Sequence, residues 1–282
     1  MLTITLEMFN ATVPAAISPD ESIFRKVLPS VERRARFLRN TVIGRRLFDR
    51  LTHPDEFNVE EGAETEARGA IIEFCCLAGF LDILHQLDLV ITPNGFGIVS
   101  NQNVAPASKE RVESLRASLD RSAAVSLDEL LLALAELDEW ADSNECRSWC
   151  QTIFWRPGIT ATPDKPTVTL TDWEKGTGPR LGAQLAIGKL TGNDQAYDFV
   201  RRSIRSRRHS SGISQAAVNY ATDFARAHVA GMDTSGPRRA LLGFLTDNFD
   251  SFPVFRASRQ YKALKSLNDE RNSADEPGFV FY

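Results

Sequence analysis

The length, composition and charge of the chain limit its class. The chain has 282 residues, 43% hydrophobic and 25% charged, which suits one large or two ordinary globular domains. These values exclude a disordered chain, a collagen-like chain and a coiled-coil rod. With 33 basic and 37 acidic residues, the net charge of -4 excludes a uniformly basic nucleic-acid binder.

The N-terminal part predicts a short strand followed by helices. Alternating apolar and polar residues over 1–9 predict the strand. From Asp20 to Gly44 apolar residues recur every three or four positions, which predicts helix. We expect a break near Leu28, because Pro29 suits the first turn of a new helix. A second helical pattern covers 65–86.

The middle of the chain predicts a β-hairpin and two helix starts. Two β-rich runs flank Pro93-Asn94-Gly95, which predicts a hairpin over about 88–100. Ser108 is a candidate N-cap for the next helix. The pair Ser126 and Glu129 has capping-box spacing and predicts the start of another.

The second half predicts a linker and a further helical region. Three prolines and a glycine mark 157–166 as the linker between a 1–156 helical domain and a 167–282 helical region with an extended tail. The fold class is therefore mainly α: a helical bundle with a short N-terminal strand, one hairpin and a second helical region. The later helices are predicted at about 172–190, 194–209, 213–230, 236–250 and 258–267.

Motifs for catalysis or cofactors are missing from the sequence. No phosphate-binding loop, zinc-protease motif or nucleophile elbow occurs. His85 and His228 lie on apolar helical faces, where we expect hydrogen-bonded core or boundary histidines, although a spatially assembled enzyme site stays an alternative. We expect no catalytic residue and no cofactor. Three glycines imitate a nucleotide-binding run with the wrong spacing, and we expect them in turns: Gly176, Gly178 and Gly182.

The cysteines and apolar runs set expectations about compartment. Adjacent Cys75 and Cys76 lie in an apolar run and predict buried reduced thiols. Cys146 and Cys150 are one helical turn apart, but no nearby ligands complete a metal site. We expect a reducing compartment, no metal, no signal peptide and no membrane-spanning helix.

Charge is distributed unevenly between two neighbouring segments. Residues 25–50 hold nine basic and two acidic residues, a net charge of +7, and residues 51–82 hold one basic and eight acidic residues, a net charge of -7. Either the basic helix face is solvated beside an acidic loop, or the two segments meet within the chain or across a subunit contact. The candidates for a subunit interface are Arg33, Arg34, Arg36, Arg39, Asp55, Glu56, Glu60 and Glu61.

Two further features indicate contacts with partners. Helical spacing places Arg201, Arg205 and Arg208 on one side, either as a solvated or partner-facing stripe or as a surface for DNA in a channel. The chain ends in an apolar tip after a polar tether, and the tip either folds back on its own core or docks on a partner. The docking candidates are Phe279, Val280, Phe281 and Tyr282.

Several segments resemble a family of uncharacterised structural proteins from phages and prophages of Bacteroidetes. The resemblance starts with a short strand at Met1–Leu6, continues through Val13-Pro14 and a helix ending near Gly44, and is most specific over Leu87–Arg111. It returns at Phe252-Pro-Val-Phe255, at Tyr261-Lys262 and in the terminal Pro277-x-Phe-Val-Phe281.

The resemblance implies a virion structural role, most plausibly as a head–tail connector (adaptor) subunit. Such subunits are mainly helical, form a ring next to the portal around the DNA channel, and contact tail or neck proteins through extended segments. They carry no catalytic residues and occur in the virion, or in the host cytoplasm during assembly. Simple adaptors are shorter than this chain, so the second half is an addition. A DNA-binding or packaging protein and a tail-completion or minor capsid protein stay alternatives.

Overall fold

The chain is mainly α-helical, as predicted, and its contacts divide it into two compact units. Unit 1 comprises Met1–Cys150 and Trp155–Gly176, and unit 2 comprises Gln151–Phe154 and Thr177–Tyr282. The computed structural model describes residues 2–13, 21–53, 57, 62–87, 89–92, 95–98, 109–162, 166–209 and 212–271.

Unit 1 is a bundle around one central helix, α4. All seven residues from Phe74 to Phe80 are buried, and a helix that is apolar around its circumference has to be enclosed. Helices α2 and α5 pack against α4. The elements of unit 1 are α1 (Leu6–Thr12), α2 (Ser22–Phe37), α3 (Arg45–Thr52), α4 (Ala63–Ile83), β1 (Leu89–Thr92), β2 (Gly95–Ile98), α5 (Lys109–Ala135), α6 (Asp138–Ala141), α7 (Asn144–Trp149) and α8 (Leu170–Lys175).

The predicted N-terminal strand is wrong, although its alternating burial is real. Leu2 and Ile4 are buried and Thr3 is exposed, but residues 2–5 pair with no strand. The Thr5 hydroxyl accepts a hydrogen bond from the Met8 amide at 3.2 Å and so caps α1. An extended segment lying on helices has the same period of two as a strand.

The predicted helix break at Leu28 is also wrong. Helix α2 continues through Pro29, which is exposed, so water can satisfy the carbonyl that lacks an amide donor. A π-helical turn, Leu38–Val42, follows α2, and Gly44 at φ 91° precedes α3. The Trp140 indole N–H donates to the Val42 carbonyl at 2.7 Å and fixes this turn.

Helix α5 is one continuous helix, and no helix starts at Ser126. Ser126 is buried in its interior, where α5 packs along α4. The Ser108 cap lies outside the described residues. Burial along α5 starts only at Leu119, so residues 109–118 form about 15 Å of helix with no buried side chain.

The segment of the predicted hairpin contains two short strands. β1 and β2 pair in antiparallel register, with Leu89 opposite Ile98 and Thr92 opposite Gly95. Two residues separate the strands, which is the shortest common hairpin connection.

Part of the predicted 157–166 linker is anchored on α5. Pro157–Thr160 forms a 3-10 turn. Asp128 accepts hydrogen bonds from the Gly158 amide at 2.5 Å and from the Arg156 guanidinium at 2.6 Å. These contacts hold the start of the segment in unit 1.

Unit 2 is a second helical bundle with an aromatic cluster. Helices α9, α10 and α11 pack on one another, and α12 packs on α11. Phe244 lies between Tyr220 and Phe252, with ring centroids 5.1 and 6.3 Å apart. The elements of unit 2 are α9 (Thr177–Thr191), α10 (Asn193–His209), α11 (Gly212–Val229), α12 (Ser235–Asp247), α13 (Pro253–Ala257) and α14 (Arg259–Arg271).

Candidate interaction surface

Helical phase divides the basic segment 25–50 into arginines that bind within unit 1 and cations that face outward. Val27, Val31 and Ala35 form the buried face of α2. Arg34 lies beside that face and is half-buried, whereas Arg33 is exposed. Adjacent residues are about 100° apart on a helix, so identical side chains at neighbouring positions meet different surroundings.

Arg34 connects three helices of unit 1. Its guanidinium donates to both carboxylate oxygens of Asp82 on α4, at 2.6 and 2.9 Å, and to Glu174 on α8 at 2.9 Å. Burial lowers the pKa of Arg34, but the hydrogen bonds to the two carboxylates outweigh it and raise the pKa above its ordinary value. At Arg34 the basic segment therefore contacts the acidic segment of the same chain, through Asp82.

Arg39 and Arg50 are also bound within unit 1. Arg39 donates to both oxygens of Asp49, at 2.7 and 2.9 Å, and this hydrogen bonding lowers the pKa of Asp49. Arg50 lies 2.7 Å from Glu64 and 2.8 Å from Glu139. These arginines fix α3 against its neighbours and are not available to a partner without breaking these contacts.

The six remaining basic residues of α2 and α3 face solvent, and one of them, Arg25, pairs with Glu21 at 2.8 Å. Arg36 has only a 3.8 Å contact with Glu32, and both side chains are exposed, so the pair holds it weakly. The other four make no hydrogen bond or ion pair with any residue that the structure describes. We call the five residues the outer cations: Lys26, Arg33, Arg36, Arg45 and Arg46.

The acidic candidates and the apolar tip cannot be placed. Asp55, Glu56, Glu60 and Glu61 lie outside the described residues, and so do Phe279 to Tyr282. Their roles in a subunit interface and in partner docking stay predictions.

The second arginine stripe is also divided by its contacts. Arg201 and Arg205 are exposed on α10, and Arg208 lies in its last turns. Arg202, which belongs to the same basic run but not to the one-sided stripe, donates to Asp198 at 2.5 Å and to Ser214 at 3.0 Å. Its guanidinium also lies 5.0 Å from the centre of the Phe252 ring, so Arg202 stabilises unit 2.

The histidine expectations are only partly met. His85 and His228 are exposed rather than buried in the core, because each lies at the end of its apolar pattern. His53 is half-buried, with Nδ1 2.9 Å from the Asp49 carbonyl oxygen. Within the described part of the chain no group of three or more His, Cys, Asp or Glu is arranged to hold a metal ion.

The cysteines are buried and reduced, as predicted. Burial raises the pKa of the Cys76 thiol to about 12, and the Cys146 and Cys150 sulfurs lie 3.8 Å apart. Among the residues that the structure describes, no helix is long and apolar enough to cross a membrane.

Three glycines that we expected in turns lie mainly in a helix. Gly176 caps α8, but Gly178 and Gly182 are inside α9 on its exposed side. The sequence analysis missed this face, although the glycines alternate with Leu181 and Leu185 at helical spacing.

Comparison with known proteins gives one partial match. Residues 40–148 match the model of DUF6712, a family of unknown function. The match covers α3, α4 and α5, the centre of unit 1, together with the two strands. No curated protein and no solved structure matches the chain significantly.

Proposed function

We propose that the chain is a non-enzymatic structural subunit of a phage virion, a head–tail connector that assembles as a homo-oligomeric ring next to the portal. The connector role rests on the resemblance over Leu87–Arg111 and the terminal segments. The mainly helical fold agrees with it. The ring arrangement is supported separately, by the exposed basic residues of unit 1.

The observation that carries the ring is the set of outer cations. They are exposed, and the same unit contains four carboxylates at Asp55, Glu56, Glu60 and Glu61. In a head-to-tail ring each copy presents different surfaces to its two neighbours. The basic residues of one copy can then face the acidic residues of the next copy. Arg34 and Arg39 are already paired within unit 1. Of the four arginines predicted at the subunit interface, Arg33 and Arg36 are therefore the ones that remain as candidates.

Two neighbouring elements of unit 1, the start of α5 and the hairpin, are candidates for contacts between rings. Residues 109–118 of α5 have no buried side chain, and Val112 is 40% exposed. The β1–β2 hairpin precedes this helical extension in the chain. In the proposal these elements reach the portal or the tail and neck proteins, the hairpin by strand addition.

The experiment replaces the gene by variants and measures entry of the chain into particles. Arg33→Glu with Arg36→Glu reverses two outer cations, and we expect its copies per particle to fall at least about tenfold through like-charge repulsion. Adding Glu60→Arg and Glu61→Arg restores entry if these carboxylates are the partners. The free energy of unfolding should change by less than about 0.5 kcal/mol, because the sites are exposed.

The matched control is Arg238→Glu with Arg239→Glu, which makes the same charge change on exposed positions of α12. We expect this variant to enter particles normally. Equal entry of both double variants would contradict a ring held by the outer cations.

A second candidate function is DNA binding or packaging. It is favoured by Arg201 and Arg205, which are exposed together on α10. A DNA-binding protein loses retention on DNA steeply as salt rises, and Arg201→Ala with Arg205→Ala would lower the slope of log affinity against log salt by about 2. Salt-independent, weak retention would instead favour the connector.

A further inference from the structure

Helix α9 of unit 2 presents an apolar face that has no partner among the residues that the structure describes. Leu185 is 65% exposed and Leu181 is 39% exposed, and they lie one turn apart. Gly178 and Gly182 have open space where a Cβ atom would be, so the face is smooth between the leucines. Covering exposed leucines removes apolar surface from water, and a paired exposed set indicates a binding surface.

A basic cleft continues this face. Lys189 lies one turn beyond Leu185 on the same side of α9 and lines an open cleft of about 920 Å³. Arg259 and the 38% exposed Val254 also line it, with one carboxylate, Asp194. Neither Lys189 nor Arg259 forms an ion pair with a residue in the described part of the chain. The surface therefore runs from two leucines to two cations.

The C-terminal segment has the complementary order of side chains. Asp275 and Glu276 come first, and Phe279, Val280 and Phe281 follow. On α9, Lys189 lies about 6 Å from Leu185 and about 12 Å from Leu181 along the axis. In an extended chain Glu276 lies about 10 Å from Phe279 and about 17 Å from Phe281, so one segment spans both parts of the surface.

The same chain can reach this surface. Helix α14 begins at the cleft with Arg259 and ends twelve residues later at Arg271, about 18 Å away. A segment that returns along α14 to the cleft and continues one turn along α9 to Leu185 covers about 24 Å along the two helix axes, and the eight residues from Arg271 to Phe279 extend about 26–29 Å. A short tether gives a local concentration in the millimolar range, which favours the chain's own segment over a second copy.

We propose that the segment Asp275–Tyr282 binds the α9 face of its own chain, with its acidic residues at Lys189 and Arg259 and its aromatic residues over Leu181 and Leu185. This contact stands on unit 2 alone and does not depend on the virion role. Of the two alternatives for the apolar tip, the proposal favours folding back on the same chain over docking on a partner.

Disulfide trapping tests the contact in the full-length protein. The four native cysteines are buried, so two introduced cysteines report alone. Leu185→Cys with Phe279→Cys, mildly oxidised at micromolar concentration, should form an intramolecular disulfide in a protein of monomeric mass. The control pairs Phe279→Cys with Asp223→Cys, whose side chain is 61% exposed on α11. We expect the Leu185→Cys pair to react at least about tenfold faster.

A charge exchange identifies the polar part of the contact. Adding Lys189→Glu to the trapping pair should slow disulfide formation about two- to fivefold, the range of an exposed ion pair, and adding Glu276→Lys should restore it. Equal rates at residues 185 and 223 would overturn the proposal. Disulfide-linked dimers as the main product would also overturn it, because the occupant would then be a second copy.

Discussion

Both units have aromatic contacts between helices, but their arginines have different roles. In unit 1, arginines join helices: Arg34 joins α2 to α4 and α8, and Arg50 joins α3 to α4 and α6. In unit 2, Arg202 and Arg256 instead lie over the aromatic rings of Phe252 and Phe249, at 5.0 and 5.2 Å from the ring centres. A run of basic residues in the sequence therefore does not identify a basic surface until the helical phase shows which side chains face outward.

The largest expected effect is in the aromatic cluster of unit 2. Phe252 is fully buried against Phe244, so Phe252→Ala should cost about 3–5 kcal/mol of unfolding free energy through lost burial and a cavity. If the units unfold separately, calorimetry should show one transition shifted and the other unchanged. The neighbouring Val254→Ala, at a 38% exposed site, should cost less than about 1 kcal/mol. One transition that shifts as a whole would contradict independent units.

Two glycines of α4 should respond with opposite sign. A Cβ atom at Gly79 would lie 2.8 Å from the Cα atom of Val31, so Gly79→Ala should cost about 1–3 kcal/mol by forcing α2 away. Gly69 has nothing within 4 Å, and Gly69→Ala should stabilise α4 by up to about 1 kcal/mol. Urea unfolding of both variants measures this. Equal effects would mean that the α2–α4 approach does not depend on Gly79.

Replacing either of two adjacent arginines of α2 should change the free energy of unfolding by different amounts. Arg34→Met leaves Asp82 and Glu174 without their cation and should cost about 1–3 kcal/mol. Arg33→Met, at an exposed position, should change the free energy of unfolding by less than about 0.5 kcal/mol. Chemical denaturation compares the pair directly. A stable Arg34→Met protein would show that the three-helix connection contributes little.

The smallest expected signal is the reaction of the thiols. Burial raises the pKa of Cys76 to about 12, so at pH 8 its thiolate is about a thousandfold rarer than in an ordinary cysteine. The folded protein should therefore label with a thiol reagent only after unfolding. The pKa of Cys76 is higher in the folded protein than in the unfolded chain, so the folded state favours the neutral thiol. The stability that comes from this preference is fully present below about pH 9 and is lost as the pH rises to about 12. Rapid labelling of native protein would contradict the buried core of α4.

Much of the fold follows from local periodicity. Apolar residues at helical spacing predicted α2, α4 and the helices of unit 2, because each helix buries one face. Helix boundaries failed where tertiary contacts override local signals: Ser126 has a capping pattern but lies within a helix packed along α4. The strand at residues 1–9 failed because an extended segment on a helical surface alternates like a strand.

The candidate surface was less predictable than the fold. The opposite charges of 25–50 and 51–82 left two alternatives, a solvated basic face or segments that meet, and Arg34–Asp82 and Arg50–Glu64 meet within the chain. Which arginines stay free depends on the rotation of α2 about its axis and on helices distant in sequence, such as α8. The sequence alone cannot supply these contacts.

The most direct test of the central claim is a copy count in particles. After prophage induction of the strain that encodes the chain, mass spectrometry of density-purified particles would quantify it against the portal protein. A ring next to the portal predicts roughly equal copies of the two proteins. A large excess would place the chain in the capsid or tail tube, and its absence from particles would contradict the structural role.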